Sequence, residues 1–295
     1  MERNRLIATS KASFSVVVWG ASFIATKVAL REVSPATVVW LRFAIGVAVL
    51  GAVVIARKQF SLPHGRELGH LILLGFVGIS FHQWLQSTGL VTAQASTTAW
   101  IVATTPIFIA LLGWLVLKEE LGWASVAGIA LAAAGVLLVV SKGDLTSLAG
   151  GRFGSPGDIL ILISAPNWAI FSVLSRRGLQ QNSAARMMFY VMGIGWFFTS
   201  IHFFLGPGIG EIGQLTSTGW LGVWFLGLFC SGLAYIFWYD ALQIIPASQV
   251  GVLLYLEPVV AVVVAAALLG EPVLCESLLG GGLILLGVWV VTRSA

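Results

Sequence analysis

The sequence predicts an all-α integral membrane protein, ten transmembrane helices built as two inverted five-helix repeats, and three observations carry that prediction. The 295 residues are 58% hydrophobic and only 9% charged, where a soluble domain carries about 25% charge to solvate its surface. The apolar residues fall in runs of about 20, the length a helix needs to cross the hydrocarbon core of a bilayer. Residues of distinctive chemistry recur at an interval of about half the chain. The same composition excludes a large soluble catalytic domain and a disordered chain. Scattered glycines exclude a collagen-like chain, and two cysteines exclude a disulfide-stapled secreted one. Both cysteines, Cys230 and Cys275, read as small packing residues in or beside apolar runs.

The elements follow from cutting the runs at glycine, proline and charge. The first span, 13–32, follows Arg3, Arg5 and Lys11. It resembles a signal peptide, but its apolar run is too long and others follow, so it is read as a retained helix. The second, 36–56, stops at Arg57-Lys58. The third, 69–90, follows Arg66-Glu67, and the fourth, 95–117, stops at Lys118-Glu119-Glu120. The fifth, 122–141, ends at Lys142. A Gly- and Ser-rich join follows, which divides the chain into an N-terminal repeat at 1–141, a linker at 142–156 and a C-terminal repeat at 157–295. The remaining spans are 157–178, 185–205, 219–241, 246–269 and 273–292, bounded by Arg176-Arg177, Gly206-Pro207, Asp240, Gly270-Glu271-Pro272 and Arg293.

Orientation follows from Lys and Arg in the loops. With the N-terminus in the cytoplasm, the inner side receives eleven (Arg3, Arg5, Lys11, Arg57, Lys58, Arg66, Lys118, Arg176, Arg177, Arg186, Arg293) and the outer side three, Arg31, Lys142 and Arg152. Both termini are therefore expected in the cytoplasm. A shift of 152 positions pairs Ala95-Ser96 with Ala247-Ser248, Pro106 with Pro258, Glu119 with Glu271, Gly128 with Gly280 and Gly135 with Gly287. A shift of 149 pairs Trp19 with Trp168 and Lys27 with Arg176. Five spans per half forces the second copy to enter the membrane upside down, the arrangement through which many secondary transporters expose one midplane site to either side in turn.

The chain resembles a ten-helix permease of the drug/metabolite transporter superfamily, of the EamA-type group. The resemblance rests on Trp19-Gly20-Ala21-Ser22-Phe23 with Lys27, on Leu41-Arg42-Phe43, and on two endings, Pro106 to Lys118-Glu119-Glu120-Leu121 and Glu257-Pro258 to Gly270-Glu271-Pro272. It implies an inner-membrane carrier of small metabolites with a central cavity and alternating access. Phe81-His82 and the stretch from Asn167-Trp168 to Ser175-Arg176-Arg177 are similar to positions in bacterial aromatic amino acid exporters. Thr105 before Pro106 departs from that subgroup, where tryptophan is usual.

Glu257 is the sharpest single residue. It falls near the middle of the ninth span, where an ionised carboxylate is expensive, and it precedes Pro258, which removes a backbone donor. It is read as a proton carrier or a binder of a substrate amine, against a neutral, hydrogen-bonded structural role. Lys27 stands a turn from the outer end of its span and Arg42 two turns into its own. Each is open between a substrate carboxylate and a bland role, snorkelling for Lys27 and tying helices for Arg42. His82, with Ser80, Gln83 and Gln86, is open between a cavity face and interhelical hydrogen bonding. Without Cys, Asp or a second His at ligand spacing it makes no metal site. Trp168, Tyr235 and Tyr255 lie deep enough to line a cavity with Glu257 by cation–π contact and stacking. Trp100 and Asn167 join the candidate binding set. Tyr239 and Trp238 read as interfacial and Asp240 as solvated. Pro106, Pro166 and Pro258 are the hinge candidates. Glu119 and Glu271 read as structural carboxylates at the N-terminus of the helix that follows each.

Function is expected to be secondary transport of amino acids, amines or related metabolites, export above import, with protons as a possible coupling ion. The runner-up is an uncoupled facilitator or channel-like pore. An intramembrane enzyme is disfavoured because Ser80 and His82, the tempting nucleophile and base, point to roughly opposite helix faces. The expected partners are the small-molecule substrate and the lipid bilayer. No cofactor motif and no basic tract for nucleic acid is present, and the sequence sets no oligomeric state.

Overall fold

The computed structural model describes residues 2–117, 122–144, 154–245, 250 and 253–294. Among them every regular element is helical, nine helices are long and apolar enough to cross a membrane, and a tenth apolar helix is shorter. They are α1 (Asn4–Ala29), α2 (Pro35–Ala56), α3 (Gly65–Thr92), α4 (Ala95–Leu115), α5 (Trp123–Ser141), α6 (Pro156–Ser175), α7 (Ala184–Leu205), α8 (Ser217–Leu242), α9 (Leu256–Leu269) and α10 (Cys275–Arg293). The chain is thus an integral membrane protein, with large side chains such as Phe197, Leu221 and Val263 exposed on its flanks as lipid contact permits.

Local chemistry sets the helix ends. Ser34 and Ser155 precede α2 and α6, each with proline in the first turn, and Ser155 closes a capping box with Asp158. Thr216 caps α8 through its hydroxyl. Gly270, at φ 68°, ends α9 in the left-handed conformation.

Helix ends meet in two groups. At the end we term distal, Glu211 accepts hydrogen bonds from Ser34 and Thr37, Glu32 from Thr216, and Thr92 from the Gly157 backbone. Burial pushes the Glu211 carboxyl up, but its Thr37 and Ser34 hydrogen bonds outweigh that and hold it below the usual carboxylate range. At the proximal end Asp240 bridges Lys11 and Arg57, and Arg186 pairs with Glu67. Asp240 is therefore a salt-bridged tie between α8, α1 and the end of α2, not the solvated residue expected. Its position beside two cations was invisible in a linear reading.

The packing has a reciprocal pattern. α1 packs on α9 as α6 does on α4, α3 on α7 as α8 does on α2, and α3 on α6 as α8 does on α1. α5 and α10 cross closely and antiparallel, with Gly128 against Gly287 and Gly135 against Gly280. A Cβ on Gly135 would stand 2.5 Å from the Gly280 carbonyl oxygen. Small residues permit this backbone approach. α3 and α8 each carry a π-helical stretch, Gly75–Phe81 and Phe225–Leu233.

Four further expectations are corrected. α1 begins well before residue 13 because Ala8 and Ala12 pack against Ala241, Ile245 and Val250, so its polar first turns are held by tertiary contact. Cys275 is exposed, unlike buried Cys230. The fourth and ninth spans are not continuous helices. α4 is interrupted by a turn at Ala103-Thr104, and a turn at Leu254-Tyr255 precedes α9. Pro106 cannot donate to the Val102 carbonyl, which takes the Thr105 hydroxyl instead at 2.7 Å, and Pro258 cannot donate to Leu254, whose carbonyl takes the Glu257 N–H at 3.0 Å. Pro166 sits inside an unbroken helix, Pro156–Gln181, and is no break.

Candidate functional site

The two breaks face one central cavity of about 670 Å³, the size of a small-molecule site. Its wall comes from both halves: Trp19, Ser22 and Phe23 of α1, Arg42 of α2, His82, Gln83 and Gln86 of α3, Thr105 and Pro106 of α4, Trp168 of α6, Tyr235 of α8, Tyr255, Glu257 and Pro258 at α9, and Trp289, Thr292 and Arg293 of α10. A second hollow beside Arg57 and Asp240 measures about 50 Å³, room for water and not for a metabolite.

Glu257 lies in the first turn of α9, not mid-helix as expected, because the turn resets the helix start. A carboxylate there meets the positive end of the helix dipole. α1 approaches closely at Gly20, where a Cβ would stand 2.7 Å from the Glu257 carbonyl oxygen. Among the described residues Glu257 has no ion pair. Arg42 is buried, donates from Nε to Ser231 Oγ at 3.1 Å and from Nη1 to Gln83 Oε1 at 3.1 Å, and lies 5.2 Å from the Phe43 ring centre. It thus ties α2 to the third helix of each half while facing the cavity, with neutral partners in place of the carboxylate or carbonyls expected. His82 stands 4.7 Å from the Trp168 ring centre, and its buried Nδ1 has no hydrogen-bond partner among the described residues. Trp168 continues onto Phe171 at 4.8 Å, and Trp19 meets Tyr235 at 5.5 Å. Tyr255 reaches Thr292 at 3.3 Å.

The cavity therefore gathers Glu257, Arg42, His82, Trp168, Tyr235, Tyr255, Pro106 and Pro258 from the expected set. Four members stand elsewhere. Trp100 packs its indole over Gly281 in the apolar core because that glycine leaves a slot for it, and Asn167 donates to the Val77 carbonyl inside the π stretch of α3 at 2.9 Å. Lys27 donates to the Ala93 carbonyl at the distal end, and Pro166 lies off the wall. Among described residues no cluster of three or more metal-ligating side chains occurs. Trp19 and Thr105 were missed as site residues, and Gln83 was noted only as a polar neighbour of His82. Their signal was the repeat itself, since each is the counterpart of a chosen residue, Trp168, Glu257 or Tyr235.

Trp168→Ala is expected to weaken substrate binding about tenfold or more while leaving the thermal midpoint in detergent nearly unchanged, since its ring faces the cavity. Binding titration beside a melting curve checks this, and equal loss of both would make Trp168 a packing residue.

A polar-studded cavity enclosed by membrane-crossing helices defines the class as an integral membrane transport protein. The EamA-like transporter family matches residues 7–141 and again 155–293, and the chain belongs to that family, within the drug/metabolite transporter superfamily. A transporter of Archaeoglobus fulgidus, itself uncharacterised, is 28% identical over 280 residues, covering 95% of each chain. A protein of Streptantibioticus cattleyicolor named a probable terminal-alkyne amino-acid exporter is 27% identical over 287 residues, 95% of this chain and 91% of that one. A solved crystal structure superposes with a TM-score of 0.67 at 22% identity, covering 98% of this chain and 97% of the other.

Proposed function

We propose that the protein exports small zwitterionic metabolites, amino acids and their close relatives, from the cytoplasm by alternating access of two inverted halves. The observation that carries this reading is the pair of broken helices facing the cavity, Thr105-Pro106 in one half and Glu257-Pro258 in the other. Discontinuous helices at the midplane are where secondary transporters bind their substrate. The halves are 1–141 and 157–295, joined by 142–156, much of which lies outside the described residues. The family's double match supports that division. So do the π stretches, which fall at one register under the 152-residue shift, and the Gly128–Gly287 and Gly135–Gly280 contacts. Under that shift Gly128 corresponds to Gly280 and Gly135 to Gly287, so each glycine meets the other's counterpart. Such a reciprocal contact is what a two-fold relation would produce, and between antiparallel helices the axis of that relation would run across them, in the membrane plane. An inverted repeat has that axis.

The charged groups of the wall break the symmetry. Glu257 answers to Thr105, so the carboxylate belongs to the second half, and the buried guanidinium of Arg42 belongs to the first, whereas Arg293, in the last turn of α10, is a cation of the second half at the proximal mouth. A cavity with a negative and a positive pole suits a substrate carrying both an amine and a carboxylate. The amine meets Glu257, which exchanges it for a proton. The carboxylate meets Arg42 and His82, and the rings of Trp19 and Trp168 flank the side chain. The similarity to a named amino-acid exporter supports that class and the outward direction. The loop charge bias supports cytoplasmic termini.

Counterflow in proteoliposomes tests the function. A mass-resolved mixture of amino acids, amines, nucleobases and sugars is expected to show saturable exchange confined to amino acids and related zwitterions. Exchange of sugars or nucleobases alone would overturn the substrate class, and unselective, unsaturable flux would establish the facilitator reading.

A further inference from the structure

The cavity is asymmetric along the bundle. It reaches Thr292 and Arg293 in the last turn of α10 but stops at Ala99 and Gln86, more than a turn short of the distal ends of α4 and α3. Across that closed end lies a compact set of bonds. Glu271, in the connection between α9 and α10, accepts from the Ala95 N–H at 2.8 Å, the Ser96 N–H at 3.1 Å and the Ser96 hydroxyl at 2.6 Å. Lys27, in the last turn of α1, donates to the Ala93 carbonyl two residues upstream. The carboxylate thus caps not the helix that follows it, as the sequence suggests, but α4 in the other half of the chain. It satisfies backbone donors of a helix start that water would otherwise hold.

We propose that Glu271 and Lys27 form a latch that closes the cavity at the distal end and must open for solute to leave there. This inference rests on the alternating-access reading and adds to it residues that never touch the substrate. The latch joins the two bodies that alternating access must separate. Glu271 belongs to the second half and its partners Ala95 and Ser96 to the first, while the Lys27–Ala93 bond, within the first half, holds the start of α4 in place to receive the carboxylate. Its bonds are charge-assisted hydrogen bonds to groups at a helix terminus, made and broken where water enters and not in the hydrocarbon. Opening therefore exchanges them for hydration at modest cost. The sequence repeats the components. Glu119, Ala247 and Ser248 stand 152 positions from Glu271, Ala95 and Ser96 in the pairing described above, and Arg176 answers to Lys27 at 149. Glu119, Ala247, Ser248 and the Arg176 side chain lie outside the described residues. The repeat assigns Glu119 the same duty at the proximal end when the protein faces the other way.

Two experiments test the latch. In a Cys275→Ser background, the pair Ser96→Cys and Glu271→Cys is cross-linked with a short bis-thiol reagent of the reducible kind. Counterflow is expected to fall at least about tenfold and to recover on reduction, while each single cysteine variant stays insensitive. A cross-linked protein exchanging at the uncross-linked rate would overturn the proposal. The second reads conformation without any substrate. With Thr105→Cys as reporter in the same Cys275→Ser background in cells, a membrane-impermeant thiol reagent applied from the distal side is expected to label Glu271→Gln about tenfold faster than the parent and Glu119→Gln more slowly. Equal rates in all three proteins, or the reverse order, refutes the latch even where the counterflow panel finds no substrate. Faster labelling of Glu271→Gln without exchange of any amino acid would uphold the latch and remove the proposed substrate class.

Discussion

Replacing Glu257 by glutamine is expected to abolish transport driven by a pH gradient while leaving expression and folding intact. The amide keeps the shape of the side chain and removes its charge. Glu257 has no ion pair among the described residues that would be left behind, so no orphaned cation destabilises the variant. What is lost, on the proposed mechanism, is the group at the cavity wall that would exchange a proton for the substrate's amine. A charge-assisted hydrogen bond to such a cation contributes about 1.5–3 kcal/mol, so affinity for an amino acid is expected to drop about tenfold to a hundredfold. Affinity for a deaminated analogue should change little. The readouts are uptake into proteoliposomes with and without an imposed pH gradient, and binding of a matched amino acid and carboxylic acid. An unchanged pH profile removes the coupling role. Equal loss for both ligands removes the amine contact.

The α5–α10 crossing carries the second large effect. Gly135→Leu places a Cβ 2.5 Å from the Gly280 carbonyl oxygen and 2.9 Å from Ile284 Cγ1. The obstacle is backbone in a partner helix, which cannot rotate away as a side chain would. Forcing the helices apart is expected to cost about 1–3 kcal/mol from overpacking, together with the Gly128–Gly287 contact one pair along. Gly282→Leu is the control, because nothing lies within 4 Å of a Cβ at that position although it shares α10. Thermal midpoints in detergent are expected to fall by several degrees for Gly135→Leu and to stay put for Gly282→Leu. Matching midpoints would mean that the close crossing is not what holds the fifth helix to the tenth.

Arg42 and Lys27 show how far a linear reading reaches. Both were visible as cations inside apolar runs, and depth alone left each open between a substrate carboxylate and a bland role, snorkelling for Lys27 and tying helices for Arg42. The structure separates them. Arg42 faces the cavity because its guanidinium is anchored by Ser231 and Gln83 on two other helices, whereas Lys27 bonds the Ala93 carbonyl beyond the cavity. Glu271 was legible as a helix-capping carboxylate, but not which helix it caps, since that depends on the distal ends of α9 and α4 meeting. Trp100 and Trp168 have similar apolar surroundings in sequence, yet a glycine on α10 admits one to the core and leaves the other at the wall.

The sequence by itself determined the membrane location, the succession of apolar helices, the internal repeat and the residue types worth placing, because the hydrocarbon core imposes length and polarity on every segment independently of its neighbours. Only the tertiary structure decided that two prolines break their helices and a third does not, that Asp240 is paired, and which polar side chains share one cavity. Those outcomes turn on carbonyls, hydroxyls and glycines contributed by distant helices, and a helix period carries no information about its partners.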